Sequence, residues 1–356
     1  MTVDILAVLT VLAGMLPADV ASSVVLAEAS PAAAPLAVGG AVSDALLVVL
    51  EAWYWLLRQL YGVTGFDVIN PDYTFMYRAL LVGLCIGVIA PLIGTFLVHR
   101  QLALIGDALA HTAFAGVAVG LFLNGVFEFG ISPYLTAVVV AIIAALLIEL
   151  ISEVTDAYND VSMAIVLSTG FALGTVLISL NAGGLAVGIN QYLFGNLSTV
   201  SAENAIIMLV LFGIIVGVVG LTRNQLLYVT FDETAAEVAG LPVDWYNRLM
   251  VMLTALVVVG AMQIMGVILV AAMLVVPVAG ATQVSRSFSE SLLVAIVLAE
   301  LAVLLGIGLA YYGGATAGGV IVLVAVGIYV CTVVVGKVQT AMETERTPDV
   351  DTITSD

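Results

Sequence analysis

The chain has 356 residues, of which 63% are hydrophobic and only 9% charged. Soluble globular domains carry roughly a quarter charged residues, so this composition excludes an ordinary soluble protein and points to a polytopic membrane protein. The formal charge is −17, with 25 acids against 8 bases; no basic patch exists to neutralise phosphates, which argues against nucleic acid as a partner.

A span needs about 20 apolar residues to cross the hydrocarbon. Runs of that kind recur along almost the whole chain, and in lipid their backbone groups must be paired internally. The runs are continuous and lack the alternation of a barrel, so the expected fold class is an all-α polytopic membrane protein. Lys337 is the sole lysine, and many acids fall in loops and in the tail "METERTPDVDTITSD". Such an acidic, lysine-poor surface suits a salt-loaded halophile cytoplasm, where screening relieves carboxylate repulsion.

Residues 1–69 read as an N-terminal extension. "MTVDILAVLTVLAGMLP" is apolar but short, and it carries Asp4 where a secretory signal has basic residues. "ASPAAAPLAVGG" reads as a small-residue linker. "DALLVVLEAWYWLLRQLYGV" (Asp44–Val63) has the aromatics of a membrane interface. It is long enough to span, yet Glu51 and Arg58 equally suit a helix lying along the interface.

From residue 70 to 338 the pattern predicts about nine transmembrane helices. These are Met76–Val98, Leu102–Leu123, Pro133–Leu150, Val161–Leu180, Ala205–Leu221, Leu249–Met265, Val267–Val284, Leu292–Tyr311 and Gly319–Val335. Residues 339–356 are expected to form an acidic cytoplasmic tail. Placing the Arg100 loop in the cytoplasm puts six of the eight bases inside and leaves Arg58 and Arg78 outside. The positive-inside rule selects that orientation, with a cytoplasmic C-terminus. Glycines at four-residue spacing (Gly116/Gly120, Gly170/Gly174, Gly213/Gly217) suit close helix packing. Pro91 and Pro277 each free a carbonyl one turn back. Cys85 and Cys331 lie far apart in apolar runs and read as small buried hydrophobes, with no CxxC pair.

The stretch "GDALAH" places Asp107 and His111, one of only two histidines, four residues apart and so on one helix face. Carboxylate and imidazole are ligand types that zinc and manganese accept. The alternative is an N-terminal helix cap at Asp107 beside a packed histidine. Two ligands are half of what a tetrahedral zinc site takes, and a two-fold dimer would bring two such pairs together. Glu149 ends its run and suits an interfacial role. Glu300 sits deeper and must find a partner or stay protonated. Gln263, near the break between two spans, faces either the path or another helix, and His99 belongs to the cytoplasmic edge.

The cytoplasmic segment "YVTFDETAAEVAGLPVDWYNR" predicts a short helix capped by Asp232 and ended by Gly240 and Pro242. Such a helix is either a docking surface or a solvated connector. No GxxxxGK[ST] nucleotide motif, HExxH or GxSxG occurs, so the chain is not expected to be an enzyme.

Four stretches together carry a resemblance: "GTFLVHRQLALIGDALAHTAFAGVAVG", "QYLFGNLSTVS", "TFDETAAEVAGLPV" and "GVILVAAMLVVPVAGAT". In this order they resemble the membrane subunits of zinc- and manganese-type ABC importers, over roughly Asn70 to Val338. The resemblance implies a permease fold like that of vitamin B12 and siderophore importers, with fewer helices. It implies a metal path at Asp107 and His111; Gln263 and Glu300 are candidates for that path from their own placement in the spans. It also implies an ATPase coupling helix at Phe231, Asp232, Glu233, Glu237, Gly240, Leu241 and Pro242.

The partners implied are a second permease copy, two ABC ATPases that carry the ATP, an extracytoplasmic metal-binding protein and membrane lipid. No cofactor is expected in this chain, and the cargo is zinc or manganese, or iron. The N-terminal extension exceeds the usual family start. Gln263 stands where many zinc-type members have lysine, and no histidine-rich loop is present. The rival reading is an ion-gradient-driven transporter that uses Asp107, Glu149 and Glu300 as a relay.

Overall fold

The structure, a computed structural model, describes residues 40–346 apart from 65–66, 71, 128–129, 156–158, 181–194 and 196–199. Expectations for residues 1–39, the last ten residues and most of "QYLFGNLSTVS" therefore fall outside the described residues. Among the described residues the regular structure is helical, as lipid demands of any spanning chain. The helices are α1 Gly40–Thr64, α2 Thr74–His99, α3 Ile105–Phe127, α4 Pro133–Thr155, α5 Asn159–Leu180 and α6 Ala202–Phe231. They continue with α7 Glu233–Val238, α8 Val243–Met265, α9 Val267–Ala281, α10 Phe288–Gly313 and α11 Ala317–Arg346.

Eight of these are long and apolar enough to cross a membrane. The ninth expected span, Val267–Val284, is corrected to α9, which has 15 residues. At 1.5 Å per residue it is about 22 Å long, short of the roughly 30 Å hydrocarbon core. Gly266 makes the break before it: its φ of 85° is a left-handed backbone that glycine alone adopts freely. α6 also outruns its expected end, Leu221, and continues without interruption to Phe231. α11 likewise continues as helix beyond its expected span, to Arg346.

α2 is the centre of the bundle. In its most apolar stretch 78% of residues are buried, against 17% for α11. α8 and α9 pack beside α2; α3 leans on α8 and α9 and is flanked by α4 and α5; α10 and α11 cover α2 and α9 from the other side. Cys85 on α2 is buried as expected, whereas Cys331 is exposed because α11 is peripheral. Buried threonines return their hydroxyl protons to the preceding turn, as in Thr95 Oγ1 to the Pro91 carbonyl (2.7 Å) and Thr254 Oγ1 to Met250 (2.8 Å).

Small residues set the close crossings, since lipid provides no hydrophobic drive for helices to meet. A Cβ on Gly94 would strike the backbone carbonyl of Leu274 on α9, and one on Gly116 would come within 2.6 Å of the Ala137 Cα on α4. Gly170 and Gly174 bring α5 against Thr112 and Phe114 of α3. Gly213 and Gly217 face open space, so that third pair makes no crossing within the chain.

The arginines divide between two ends. Arg100 meets Glu233 and Asn247, Arg223 donates to Ser289 and Arg248 pairs with Glu149, so these all share one end of the bundle. At the opposite end of α2, Arg78 Nε donates to the Tyr54 hydroxyl (2.8 Å) and Trp53 Nε1 to the Tyr77 carbonyl (2.8 Å). Those bonds, with buried Leu50 and Leu57, dock α1 onto α2. α1 itself is not among the eight apolar spans.

The crossing geometry predicts that Gly94→Ala destabilises the detergent-solubilised protein by about 1–3 kcal/mol through overpacking. Gly217→Ala should leave its melting curve in place. Equal losses at the two positions would contradict this assignment of the helix crossings.

Candidate metal site and coupling segment

α3 begins directly after a tight turn at the arginine-rich end. The turn closes through Arg100 N–H to Phe96 O (3.1 Å), Gln101 N–H to Val98 O (3.1 Å) and Leu102 N–H to Leu97 O (2.8 Å). Gln101 takes a left-handed φ of 59° to fit it. Asp107 lies in the first turn of α3, where the helix dipole favours a negative charge. His111 follows one turn deeper. Its Nε2 stands 3.6 Å from the Asp107 Oδ1.

That spacing is longer than a direct hydrogen bond but close to the edge of a tetrahedral site, about 3.4 Å for metal–ligand bonds of about 2.1 Å. The two side chains keep 43% and 23% of their surface for aspartate and histidine respectively, so the pair opens outward from the chain's own core. The His111 ring meets the edge of Phe171 on α5, with centroids 5.4 Å apart and planes at 89°. Its Nδ1 is buried and has no partner among the described residues. Gly170 makes room for this contact by letting α5 close onto Thr112. Among the described residues no cluster of three or more histidine, cysteine, aspartate or glutamate side chains occurs. The pair can thus supply two donors to an ion, and completing the shell requires groups from elsewhere.

Glu149 and Glu300 have contacts of their own on other helices. Glu149, at the end of α4, pairs with Arg248 of α8 at 3.3 Å. Glu300 projects from α10 against α2, where a Cβ on Gly87 would come within 2.8 Å of its carboxylate. Gly87 is also the residue whose carbonyl Pro91 leaves without a helical donor. α10 packs on α2, α9 and α11, while α3 packs on α4, α5, α8 and α9, so Glu300 is not beside Asp107 and His111. The side chain of Gln263 falls outside the described residues.

The predicted short helix is present as α7. Asp232 Oδ1 accepts from Ala235 N–H (2.9 Å), and Gly240, at φ 82°, turns the chain with Leu241 N–H returning to Ala236 O (3.0 Å). Buried Ala236 packs with Val229 and Val243, with Leu241 and Tyr246 beside them. Phe231, at the junction of α6 and α7, packs with His99 and Phe288 in an aromatic cluster. The outer surface is apolar for a loop: Val238 is 86% exposed, and Tyr228, Phe231 and Trp245 are exposed with it. Glu237 is exposed on the same short helix.

Sequence reasoning missed three of these features. Val238 and Trp245 are not singled out within the quoted cytoplasmic segment, and the contact of Arg100 with Glu233 joins residues 133 apart. Phe171 sits in an ordinary apolar run, and only the fold places it over His111.

Residues 72–336 match the model of the ABC 3 transport family. The chain is 30% identical over 258 residues to the manganese transport system membrane protein MntC of Listeria monocytogenes, covering 72% of this chain and 89% of that protein. It is 32% identical over 251 residues to a probable iron transport system membrane protein of Haemophilus influenzae, covering 70% and 86%. Among solved structures, PsaBC from Streptococcus pneumoniae in complex with Fab superposes with a TM-score of 0.65 at 29% identity, covering 78% of this chain and 95% of that one. With the helical bundle, these likenesses bear out the resemblance drawn from the four sequence stretches: the chain is a multi-pass membrane protein belonging to the ABC 3 transport family of ABC importer permeases.

Proposed function

We propose that this chain is the permease of an ATP-driven importer of divalent transition-metal ions, with manganese as first cargo and zinc or iron as the others to test. The observation that carries the reading is the Asp107–His111 pair: two donors at ligand spacing, open on one side, at the mouth of α3. An incomplete shell suits transport, because a permeation site must release its ion. A second copy of the chain supplies the facing pair across a two-fold axis. The names of the similar proteins, manganese in one and iron in another, support a transition metal as cargo.

Energy enters from outside the chain. The α7 segment, with exposed Val238, Phe231 and Trp245, is the docking surface for an ABC ATPase subunit, one for each permease copy. An extracytoplasmic metal-binding protein delivers the ion at the opposite end. ATP-driven closure of the ATPases presses on α7, switches access to the Asp107/His111 path, and hydrolysis resets it. This assignment puts the protein in the cell membrane with the arginine-rich end and the C-terminus in the cytoplasm.

In vesicles holding the permease, its ATPase and its binding protein, Asp107→Ala and His111→Ala should each abolish ATP-dependent uptake of radiolabelled manganese while the complex still purifies. Full uptake in both variants would return the pair to a capping carboxylate and a packed histidine. Uptake driven by an ion gradient without the ATPase would overturn the ABC reading itself.

At the docking surface, Val238→Glu should weaken copurification of the ATPase by about tenfold, as expected for a charge placed at the apolar centre of an interface. Because Val238 is 86% exposed, the permease alone should keep its melting curve. Unchanged copurification would place ATPase docking elsewhere.

A further inference from the structure

We propose that Arg100 is the positioning residue that ties the coupling segment to the helix carrying Asp107 and His111; this rests on the roles proposed above for α7 and for that pair. Arg100 is one side chain with three attachments. Its backbone forms the α2–α3 turn, its Nη2 donates to the Glu233 carboxylate at the start of α7, and the same nitrogen donates to Asn247 Oδ1 on α8 (2.7 Å). Its side chain is only 10% exposed.

A guanidinium so deeply covered cannot lose its carboxylate cheaply, since an uncompensated buried charge is strongly unfavourable. A displacement of α7 must therefore either carry Arg100 with it or break a costly contact. The turn has little slack: three backbone hydrogen bonds and a left-handed Gln101 fix Arg100 to Leu102, and Ile105 N–H then bonds back to Leu102 O (3.1 Å). α3 starts at Ile105, so Asp107 lies within its first turn and moves with it. Motion of α7 thus reaches the Asp107–His111 pair through a short, stiff connection.

The surroundings make this contact selective. Arg100, Glu149, Glu233, Asp244 and Asn247 all line one cavity of about 270 Å³ at this end of the bundle. Within it Glu149 pairs with Arg248 at 3.3 Å and Arg100 pairs with Glu233. Glu233 is also the more accessible partner, with 52% of its side chain exposed, so an ATPase seated on α7 would reach it first. Both contacts are made by one nitrogen, Nη2, so a lysine would keep the charge and enough donors but lose the planar, pre-organised guanidinium that holds them together.

The test measures manganese transported per ATP hydrolysed in vesicles carrying the full complex. Arg100→Glu and Glu233→Arg should each lower that ratio about tenfold, a typical coupling factor. The double variant Arg100→Glu/Glu233→Arg should recover most of it, and Arg100→Lys should fall between. An unchanged ratio in Arg100→Glu, or a double variant no better than the product of the single losses, would overturn the linkage. Should Arg100→Glu fail to assemble, the double variant decides: restored assembly and coupled uptake support the contact, and no restoration overturns it. Uptake that depends on Asp107 yet ignores Arg100 removes this linkage alone. Uptake indifferent to both Asp107 and the ATPase removes the reading on which it rests.

Discussion

The structure depends on one constraint: charge is expensive in hydrocarbon, so each ionised side chain must lie at an end of the bundle or meet a partner. Arg100, Arg223 and Arg248 obey it by gathering at one end with Glu233, Ser289 and Glu149. Arg78 obeys it at the other, against Tyr54. Between those ends the helices are held by glycine crossings and by threonines that bond back to their own turns. Asp107 and His111 are the exception on which the proposed function rests: they face each other at 3.6 Å with open surface beside them. Glu300 is the second exception, and it lies where Pro91 has already interrupted the hydrogen bonding of α2.

Position along α3 connects these facts to transport. The proposed metal pair occupies the first turns of a helix whose start is set by a rigid turn, and Arg100 in that turn contacts the proposed coupling segment. The permease then needs no long relay of residues to sense its ATPase. A stiff connection between two packed elements suffices, provided the bundle has two discrete arrangements that ATP binding can select between.

Much of the fold was readable from the sequence because lipid leaves so few choices. Continuous apolar runs had to be helices, and the break at Gly266 was visible between two of them. The short helix at α7 was equally readable, since Asp232, Gly240 and Pro242 mark its two ends by local chemistry. What was not readable depends on distant contacts. The expected span overruns α9 by three residues, because Thr282, Gln283 and Val284 carry on from its end as a hydrogen-bonded turn. Gly213 and Gly217 carry the same spacing as the packed pairs, yet they meet nothing within the chain. The Asp107–His111 pairing followed from four-residue spacing alone, whereas Phe171 and Glu233 reach the site only through the fold.

The central claim is that His111 ligates the transported ion. Pulsed electron paramagnetic resonance of manganese(II) bound to the purified permease tests it cleanly, since the chain has only two histidines. The account predicts an imidazole nitrogen coupling that persists in His99→Ala and disappears in His111→Ala. A nitrogen coupling that survives His111→Ala, or a bound ion with no nitrogen ligand in the unaltered protein, would contradict it.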